Sequence, residues 1–398
     1  MISYPLRGDC VKKRLTVQYS LHQMTYWAAA AGIMSFATAF LMEQGFAASQ
    51  IGVLLASGNL LSCALQPLLA QRADRVGGNA LTRLILLLTG ACALCFVLLL
   101  AVPVPQWLYG LLYLMGIFTF DAMVPLMNAI SVSCNEQGHF VNYGVGRGMG
   151  SVAFSVAALA IGEVIANWGA DWMLYIVLVL LVANAFIVLR YPDFGEGRKQ
   201  REEQVECCSV PVFLTRYKWY CVSLLGVMLL AMFHAMTENY LIEVVKPLGG
   251  DSGSVGVALF IATVVEMPVF LWFDRLRRHV RDNVLLKLGG LSFLLKSLLF
   301  LWAPSVPAIY MIQTLQATSY SFLSPTQLYY ANNKIAWADM VKGQAFITAS
   351  YTLGCAVGNF AGGQLLQFFD LRTMLLSGVA MAAAGTAILF LTVEKRDI

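Results

Sequence analysis

The sequence predicts an all-α integral membrane protein with twelve spanning helices in two six-helix bundles. Hydrophobic residues make up 59% of the chain and charged residues only 12%. The mean hydropathy of +0.70 is far above that of soluble globular proteins. The hydrophobic residues form twelve long runs, each close to the ~20 residues that a helix needs to cross a bilayer. Little sequence remains for a soluble catalytic domain, so we do not expect an enzyme.

The twelve runs consume nearly the whole chain. They lie roughly at residues 16–41, 50–71, 81–102, 106–133, 141–166, 171–190, 217–243, 254–273, 284–303, 306–331, 342–367 and 371–393. The sustained hydrophilic stretch falls between the sixth and seventh runs. It predicts a bundle over residues 1–190, a linker over 191–216 and a second bundle over 217–398.

The two predicted bundles resemble each other at an offset of about 200 residues. Asp74-Arg75 corresponds to Asp274-Arg275, and Pro125 corresponds to Pro325. Such self-similarity at a fixed spacing indicates duplication of one structural unit. We therefore expect two related halves, as in transporters that work by alternating access.

Basic residues alternate between the loops and predict the orientation. They collect before the first run, between runs two and three, in the linker, between runs eight and nine, and at the C-terminal end. Lysine and arginine accumulate in short cytoplasmic loops, so both termini are expected in the cytoplasm. The net charge of +4 is then a signal of topology, and we expect no nucleic-acid partner.

The sequence offers no pattern for a metal or other cofactor. Cys92 and Cys95 form a Cys-x-x-Cys, but they lie inside an apolar run without histidine neighbours. The four histidines show no metal-ligand spacing. Nothing resembles a nucleotide-binding P-loop, so the expected energy source is a proton gradient and not ATP.

Several ionisable side chains lie inside predicted spans. Each costs on the order of 2.5 to 3.5 kcal/mol at the centre of a span, so such residues are functional candidates. We expect them to face a cavity or each other. They are Asp121, Arg147, His234, Glu238, Glu266 and Lys296.

Helical spacing groups some of these residues with polar neighbours. Asp121 and Asn128 are seven residues apart, with Pro125 between them, and are expected on one helix face. His234 and Glu238 are one turn apart, as are His22 and Tyr26. His234 could alternatively be a hydrogen-bonding residue between helices. Glycines at 354, 358 and 362 predict a close helix contact.

The loop between runs two and three carries the first family resemblance. Its sequence Ala70-Gln-Arg-Ala-Asp-Arg-Val-Gly77 resembles the loop signature of the major facilitator superfamily. The resemblance implies the major facilitator fold and a conformational latch. The latch residues would be Asp74, Arg75, Gly77, Asp274 and Arg275. The alternative is that these are only positive-inside residues.

The segment Tyr143-Gly-Val-Gly-Arg-Gly-Met-Gly-Ser-Val-Ala-Phe154 is the most specific motif. It resembles the fifth helix of the lactose permease, nucleoside permease and 3-phenylpropionate permease branch of that superfamily. The resemblance implies that Arg147 binds substrate and that Phe154 stacks on it. Asn128 stands where lactose permease has the carboxylate that partners this arginine, which puts galactoside recognition in doubt.

The region from Glu266 to Lys296 resembles the 3-phenylpropionate permease-like group, which pairs an acid of helix 8 with a cation of helix 9. The resemblance implies a coupling pair, and a purely structural pair is the alternative. That group often begins helix 10 with a histidine, and Gln316 stands there in this chain. Proton coupling is therefore expected from Asp121, His234 or Glu238, with Glu266 and Lys296 as further candidates.

The expected function is proton-coupled import of a small organic solute, such as a sugar, nucleoside or aromatic acid, by alternating access. Efflux antiport and uncoupled facilitation are the alternatives. We expect a monomer in the lipid bilayer of a bacterial cytoplasmic (inner) membrane, with the solute and protons as its partners. The candidate substrate-binding residues are Arg147, Asn128, Phe154, Tyr26, Trp27, His22, Asn239 and Gln316.

Overall fold

The computed structural model describes residues 6–76, 80–136, 141–191 and 209–395. These residues are almost entirely helical, as expected for a protein that spans a membrane. They separate into two compact units, Met1–Phe40 with Ser57–Gln200 and Leu41–Ala56 with Arg201–Ile398. The helix that begins at Ala48 therefore contributes its first residues to the second unit and the rest to the first.

Eight helices form the first unit, except that the end of α2 and the start of α3 belong to the second unit. A π-helical segment, Ala31–Ser35, lies between α1 and α2. The helices are α1 (Leu6–Ala30), α2 (Ala37–Glu43), α3 (Ala48–Val76), α4 (Ala80–Ala101), α5 (Gln106–Asp121), α6 (Met123–Glu136), α7 (Tyr143–Trp168) and α8 (Asp171–Val188).

The second unit contains nine further helices. Three short 3₁₀ segments, Lys246–Leu248, Thr314–Ala317 and Trp337–Asp339, lie between them. The helices are α9 (Val210–Arg216), α10 (Lys218–Asn239), α11 (Leu241–Val245), α12 (Ser252–His279), α13 (Asp282–Leu301), α14 (Val306–Gln313), α15 (Tyr320–Lys334), α16 (Met340–Phe368) and α17 (Leu371–Thr392).

Within the described ranges, nine helical stretches are long and apolar enough to cross a membrane, or ten if the bent pair at α1 and α2 is one span. Two predicted runs fall short of this test. The run at 306–331 is divided into α14, a 3₁₀ segment and α15. The run at 342–367 lies in the continuous helix α16, which carries many glycines and polar residues. The count of twelve spans stays a prediction.

The first helix bends by 50° at its π-helical segment. Gly32 lies in this segment, where a Cβ atom would be only 2.8 Å from Val177 Cγ2 of α8. A π-helical segment adds a residue to one turn and so redirects the helix axis. The close approach of α8 leaves room only for glycine at this point.

Both units repeat one packing pattern, which fits the internal repeat. In the first unit α1 packs along α7 and α8, and in the second α10 packs along α16 and α17. The glycines of α16 that predicted a close helix contact lie where α16 packs against α10. A Cβ atom on Gly354 would be 2.5 Å from the Met228 carbonyl, and Gly358 lies against Met232. The predicted close helix contact is confirmed.

The predicted fourth span is interrupted at Ala122, between α5 and α6. Pro125 explains the interruption, because it has no N–H to donate to the carbonyl of Asp121 four residues earlier. Asp121 is therefore the last residue of α5, while Asn128 lies in α6. The stretch from Gln106 to Asn135 still counts as one span, and a shared face for Asp121 and Asn128 stays a prediction.

Some predicted features fall outside the described residues. Gly77 is one of them, and so are residues 192–208 of the predicted linker. Asp74 and Arg75 lie in the last turn of α3.

Candidate functional site

Arg147 and Trp27 form the centre of a polar cluster in the first unit. The guanidinium carbon of Arg147 lies 4.1 Å from the centroid of the Trp27 ring, which is a cation–π contact. One guanidinium nitrogen, Nη1, donates a hydrogen bond of 3.0 Å to Ser151 Oγ. Both side chains are half-buried. The predicted binding arginine thus lies against a predicted stacking residue.

Glycines of α7 make this contact possible. A Cβ atom on Gly150 would be 2.5 Å from Trp27 Cδ1, and one on Gly146 would overlap the ring of Tyr19. Each glycine therefore provides the space for one aromatic ring of α1. The glycine-rich motif around Arg147 is explained by this close packing of α1 and α7.

A chain of hydrogen bonds along α1 fixes the indole ring. Trp27 Nε1 donates to Gln23 Oε1 over 2.9 Å, and Gln23 Nε2 donates to Tyr19 Oη over 2.6 Å. The three side chains are four residues apart and so lie on one helix face. Gln23 is fully buried. The sequence analysis missed Gln23, although its spacing from Tyr19 and Trp27 was a usable signal.

Asp121 lies beside Tyr26 at the break between α5 and α6. The Tyr26 ring stacks on Phe120 with centroids 4.3 Å apart, and its hydroxyl donates to the Phe120 carbonyl over 3.2 Å. Asp121 is only 8% exposed. Its Oδ1 is buried and accepts no hydrogen bond from any residue that the structure describes. A buried acceptor without a donor is costly and unusual in a folded protein.

The other predicted residues of the first unit lie apart from this arrangement. His22 is 1% exposed, and Oη of Tyr191, just beyond the end of α8, is 3.4 Å from its Nδ1. Asn184 donates to the His22 carbonyl over 3.3 Å. These contacts are those of a residue that joins two helices. Asn128 and Phe154 are half-buried, on α6 and α7.

Glu238 is the centre of a second cluster, in the second unit. Lys296 Nζ of α13 donates to Glu238 Oε1 over 3.1 Å, and Gln313 Nε2 donates to the same oxygen over 3.4 Å. His234 Nδ1 lies 4.0 Å from it. The Lys296 side chain is 0% exposed, whereas that of Glu238 is 16% exposed. The cluster is a buried ion pair with further polar groups around it.

The 3₁₀ segment Thr314–Ala317 brings two glutamines to this ion pair. Gln313 precedes the segment, and Gln316 Oε1 accepts a hydrogen bond of 2.7 Å from Lys296. Side chains three residues apart eclipse in a 3₁₀ helix. Both amides thus face one charge pair, and Gln313 was not among the predicted residues.

Lys296 is bound by an acid that the resemblance did not indicate. The implied partner was Glu266 of α12, but Lys296 is bonded to Glu238 of α10. The reason lies in the packing, because α13 lies mainly along α15 and α17 and also contacts α10. Glu266 is half-buried on α12.

His234 is held between aromatic rings. Its ring stacks on Tyr320 at 5.5 Å between centroids and meets Phe293 edge-on at 6.0 Å. Nδ1 of His234 is buried without a hydrogen-bond donor or acceptor among the described residues. The ring is thus fixed in orientation while one of its nitrogens stays available.

Asn239 is bonded to a residue that the sequence analysis missed. Its Nδ2 donates to Asn359 Oδ1 of α16 over 2.6 Å. The neighbouring Tyr240 donates through its hydroxyl to the Asn359 carbonyl over 2.9 Å. Asn359 is 1% exposed, so this contact joins α10 and α16 within the unit.

Near the predicted latch residues of the second unit, most side-chain contacts are made by Arg277, which the latch prediction did not include. Arg277 makes two hydrogen bonds to Asp282, of 2.8 and 3.1 Å, and lies 3.5 Å from the Tyr329 ring centroid. Tyr329 Oη donates to Asp274 over 3.3 Å. Of the two predicted residues, Asp274 is thus bonded through its side chain. Arg275 is bonded through its backbone carbonyl, which lies 3.0 Å from Nδ1 of His279.

Metal binding finds no support in the described part of the chain, where no three His, Cys, Asp or Glu side chains form a group that could hold an ion. The two clusters contain hydrogen-bond donors, acceptors and rings. Groups of these kinds can form hydrogen bonds and ring contacts with an organic molecule.

Comparison with known proteins gives one family over most of the chain. A model of the MFS_1 like family matches residues 16–376. The maltose permease of Geobacillus stearothermophilus is 25% identical over 379 residues, which cover 89% of each chain. An uncharacterized transporter of Bacillus subtilis, YwbF, is 22% identical over 370 residues, covering 89% of this chain and 87% of its own.

Solved structures share the fold. A crystal structure of a mutant of the nucleoside transporter NupG superimposes with a TM-score of 0.83 at 14% sequence identity, covering 96% of this chain and all of the other. A bacterial homologue of the iron transporter ferroportin, in an inward-facing state, gives a TM-score of 0.70 at 13% identity, covering 98% of this chain and 100% of its own.

Proposed function

The chain belongs to the MFS_1 like family, and on that premise we propose that it is a proton-coupled symporter which imports a small organic solute by alternating access. The family and the structural relatives are transporters, so the general role as a membrane transporter of solutes is established. The coupling to protons, the direction of transport and the class of solute are the proposed parts.

The observation that carries the proposal is the environment of Asp121. Its carboxylate is buried at a helix break, and Oδ1 accepts no hydrogen bond within the described ranges. A charged carboxylate in this position costs free energy that a proton or a donor group would remove. We propose that Asp121 takes up a proton when the solute binds and releases it on the other side of the membrane.

In this proposal the Glu238 carboxylate of the second unit does not carry the proton. The buried ammonium of Lys296 compensates the charge of Glu238 at 3.1 Å, so this carboxylate stays ionised without a proton. His234, at 4.0 Å from Glu238, is the second candidate for proton exchange. Glu266, half-buried on α12, is a further candidate.

Solute binding is proposed at Arg147 and Trp27. An indole ring and a guanidinium group in contact offer a flat surface and several N–H donors to one ligand. One sequence relative is named as a maltose permease and one structural relative as a nucleoside transporter. These names support a sugar or a nucleoside for this chain, with an aromatic acid as the remaining class.

The location follows from the same relatives and from the loop charges. The curated relatives come from bacteria, which supports the cytoplasmic membrane of a bacterium. The loop charges support cytoplasmic termini. We propose that the protein works as a monomer, because both candidate clusters are built from side chains of a single chain.

Uptake into vesicles tests the proposal. The purified protein is reconstituted, and labelled maltose, uridine and 3-phenylpropionate are offered with an inward proton gradient or after a protonophore collapses it. Symport predicts accumulation of one solute above its external concentration only with the gradient. Asp121→Asn should abolish accumulation while solute exchange persists, whereas the control Asp251→Asn, at an exposed helix cap, should behave as the wild type. Equal uptake with and without the gradient would indicate a facilitator.

A further inference from the structure

We propose that the Glu238 carboxylate is a binding group for hydroxyls of the solute, and that the solute is uncharged and rich in hydroxyl groups. This inference rests on the proposed transport function and names the class of its substrate. The observation behind it is the one-sided bonding of Glu238. Lys296 and Gln313 both donate to Oε1, and His234 approaches the same oxygen.

The second carboxylate oxygen is left for a ligand. Among the described residues, none donates a hydrogen bond to Oε2 of Glu238, although 16% of the side chain remains accessible. The carboxylate is also fixed in place, because Lys296 is itself held by Gln316 over 2.7 Å. A preorganised carboxylate oxygen accepts short, charge-assisted hydrogen bonds from O–H donors.

The neighbouring Gln313 also has an atom without a hydrogen-bond partner. Gln313 is fully buried, and its Oε1 has no partner within the described part of the chain. The Gln313 amide is oriented by its donation to Glu238, so its oxygen accepts from elsewhere. Buried polar atoms of this kind are normally satisfied by water or by a ligand.

The chemistry of this group selects the ligand. Glu238 Oε2 and Gln313 Oε1 are both acceptors. A solute that satisfies them must carry several donors, as a sugar or the ribose of a nucleoside does. A solute carboxylate has only acceptor oxygens and would leave both atoms without a donor.

Binding measurements on the wild type and a Glu238 variant are the first test of this inference. Binding of maltose, uridine and 3-phenylpropionate to the purified protein is measured by calorimetry, for the wild type, Glu238→Gln and the control Glu163→Gln on the exposed face of α7. The wild type should bind maltose or uridine, and Glu238→Gln should weaken that binding by roughly 10- to 100-fold, as expected for one hydrogen bond to a charged group. Glu163→Gln should match the wild type.

A structural role for Glu238 is separated from a binding role by the analogues. One deoxy derivative of the bound solute should bind the wild type more weakly than the complete solute does. Glu238→Gln should bind this derivative and the complete solute with equal affinity. Should the single variant misfold because Lys296 is left without its counter-charge, the double variant Glu238→Gln with Lys296→Met removes both charges and is measured instead.

The outcomes separate this inference from the proposed function. Binding of neither maltose nor uridine, or unchanged affinity in Glu238→Gln, overturns the inference. Gradient-driven accumulation of 3-phenylpropionate in place of the uncharged solutes overturns it too, while leaving proton symport intact. Uptake of maltose or uridine that ignores the gradient, but is weakened by Glu238→Gln, supports the inference and removes the coupling.

Discussion

Lys296 donates a hydrogen bond of 3.1 Å to Glu238, and the whole of its side chain is buried. The pair links α13 to α10 and neutralises two charges that the membrane interior disfavours. Its partners Gln313 and Gln316 come from a helix that is interrupted at this level. The buried ion pair is thus hydrogen-bonded to side chains that lie at a break in a neighbouring helix.

Removing one member of this pair should destabilise the protein more than removing both. Lys296→Met leaves Glu238 without its counter-charge, and breaking such a buried pair costs about 3 to 5 kcal/mol. The double variant with Glu238→Gln contains no uncompensated charge and should recover most of the loss. Thermal unfolding in detergent measures this. An additive effect of the two substitutions would show that they do not interact.

The glycines facing α1 should tolerate no side chain. Gly146→Val would drive a methyl group into the ring of Tyr19, and overpacking of this kind costs about 1 to 3 kcal/mol. We expect a lower unfolding temperature and a lower yield of folded protein. At Gly148, on the same helix, a Cβ atom would meet no neighbouring heavy atom of the described residues within 4 Å. Gly148→Val is therefore the matched control and should leave stability unchanged.

The orientation of Trp27 should depend on Gln23. Gln23→Leu removes the acceptor of the indole N–H at 2.9 Å while keeping the volume of the side chain. A freed ring supports Arg147 less well, and we expect solute affinity to fall several-fold, within the ~2 kcal/mol that a desolvated cation–π contact contributes. Trp27→Phe loses both this hydrogen bond and the larger indole face, so its affinity should fall at least as far as that of Gln23→Leu. Identical affinities in all three proteins would contradict this role.

Arg277 should affect the rate of transport more than solute binding. Its two hydrogen bonds to Asp282 and its contact with Tyr329 connect α12, α13 and α15 at one end of the unit. Arg277→Gln breaks the bidentate pair, so we expect a lower maximal rate of uptake with an unchanged KM. Arg278 is exposed, and Arg278→Gln serves as the control. A change in KM alone would assign Arg277 to binding.

The sequence was sufficient for the fold and for most polar side chains of the site, but not for their pairing. Hydrophobic runs and the repeat depend on composition and spacing, which the bilayer constrains strongly. The partner of Lys296 depends on which helices pack together, and spacing within one helix does not reveal that. Glu238 was recognised as a candidate, but its bond to Lys296 required the structure.

Helix breaks were the second feature that spacing did not reveal. The 3₁₀ segment Thr314–Ala317 was not predicted. The contacts of Gln313 and Gln316 with Glu238 and Lys296 depend on how this part of the chain packs against α10 and α13. Gln23 was missed for another reason. The spacing of Gln23 between Tyr19 and Trp27 could be recognised in the sequence. Its role depends on the close approach of α7, which the sequence does not show.

The central claim, that solute and proton move together, is tested most directly by recording the internal pH of vesicles. A trapped pH indicator follows the lumen when maltose or uridine is added outside, with no imposed proton gradient and with the membrane voltage clamped. Symport predicts that the entering solute carries protons inward and acidifies the lumen, and that Asp121→Asn removes this signal while solute still exchanges. Solute entry without any change in internal pH, in wild-type protein, would contradict the account.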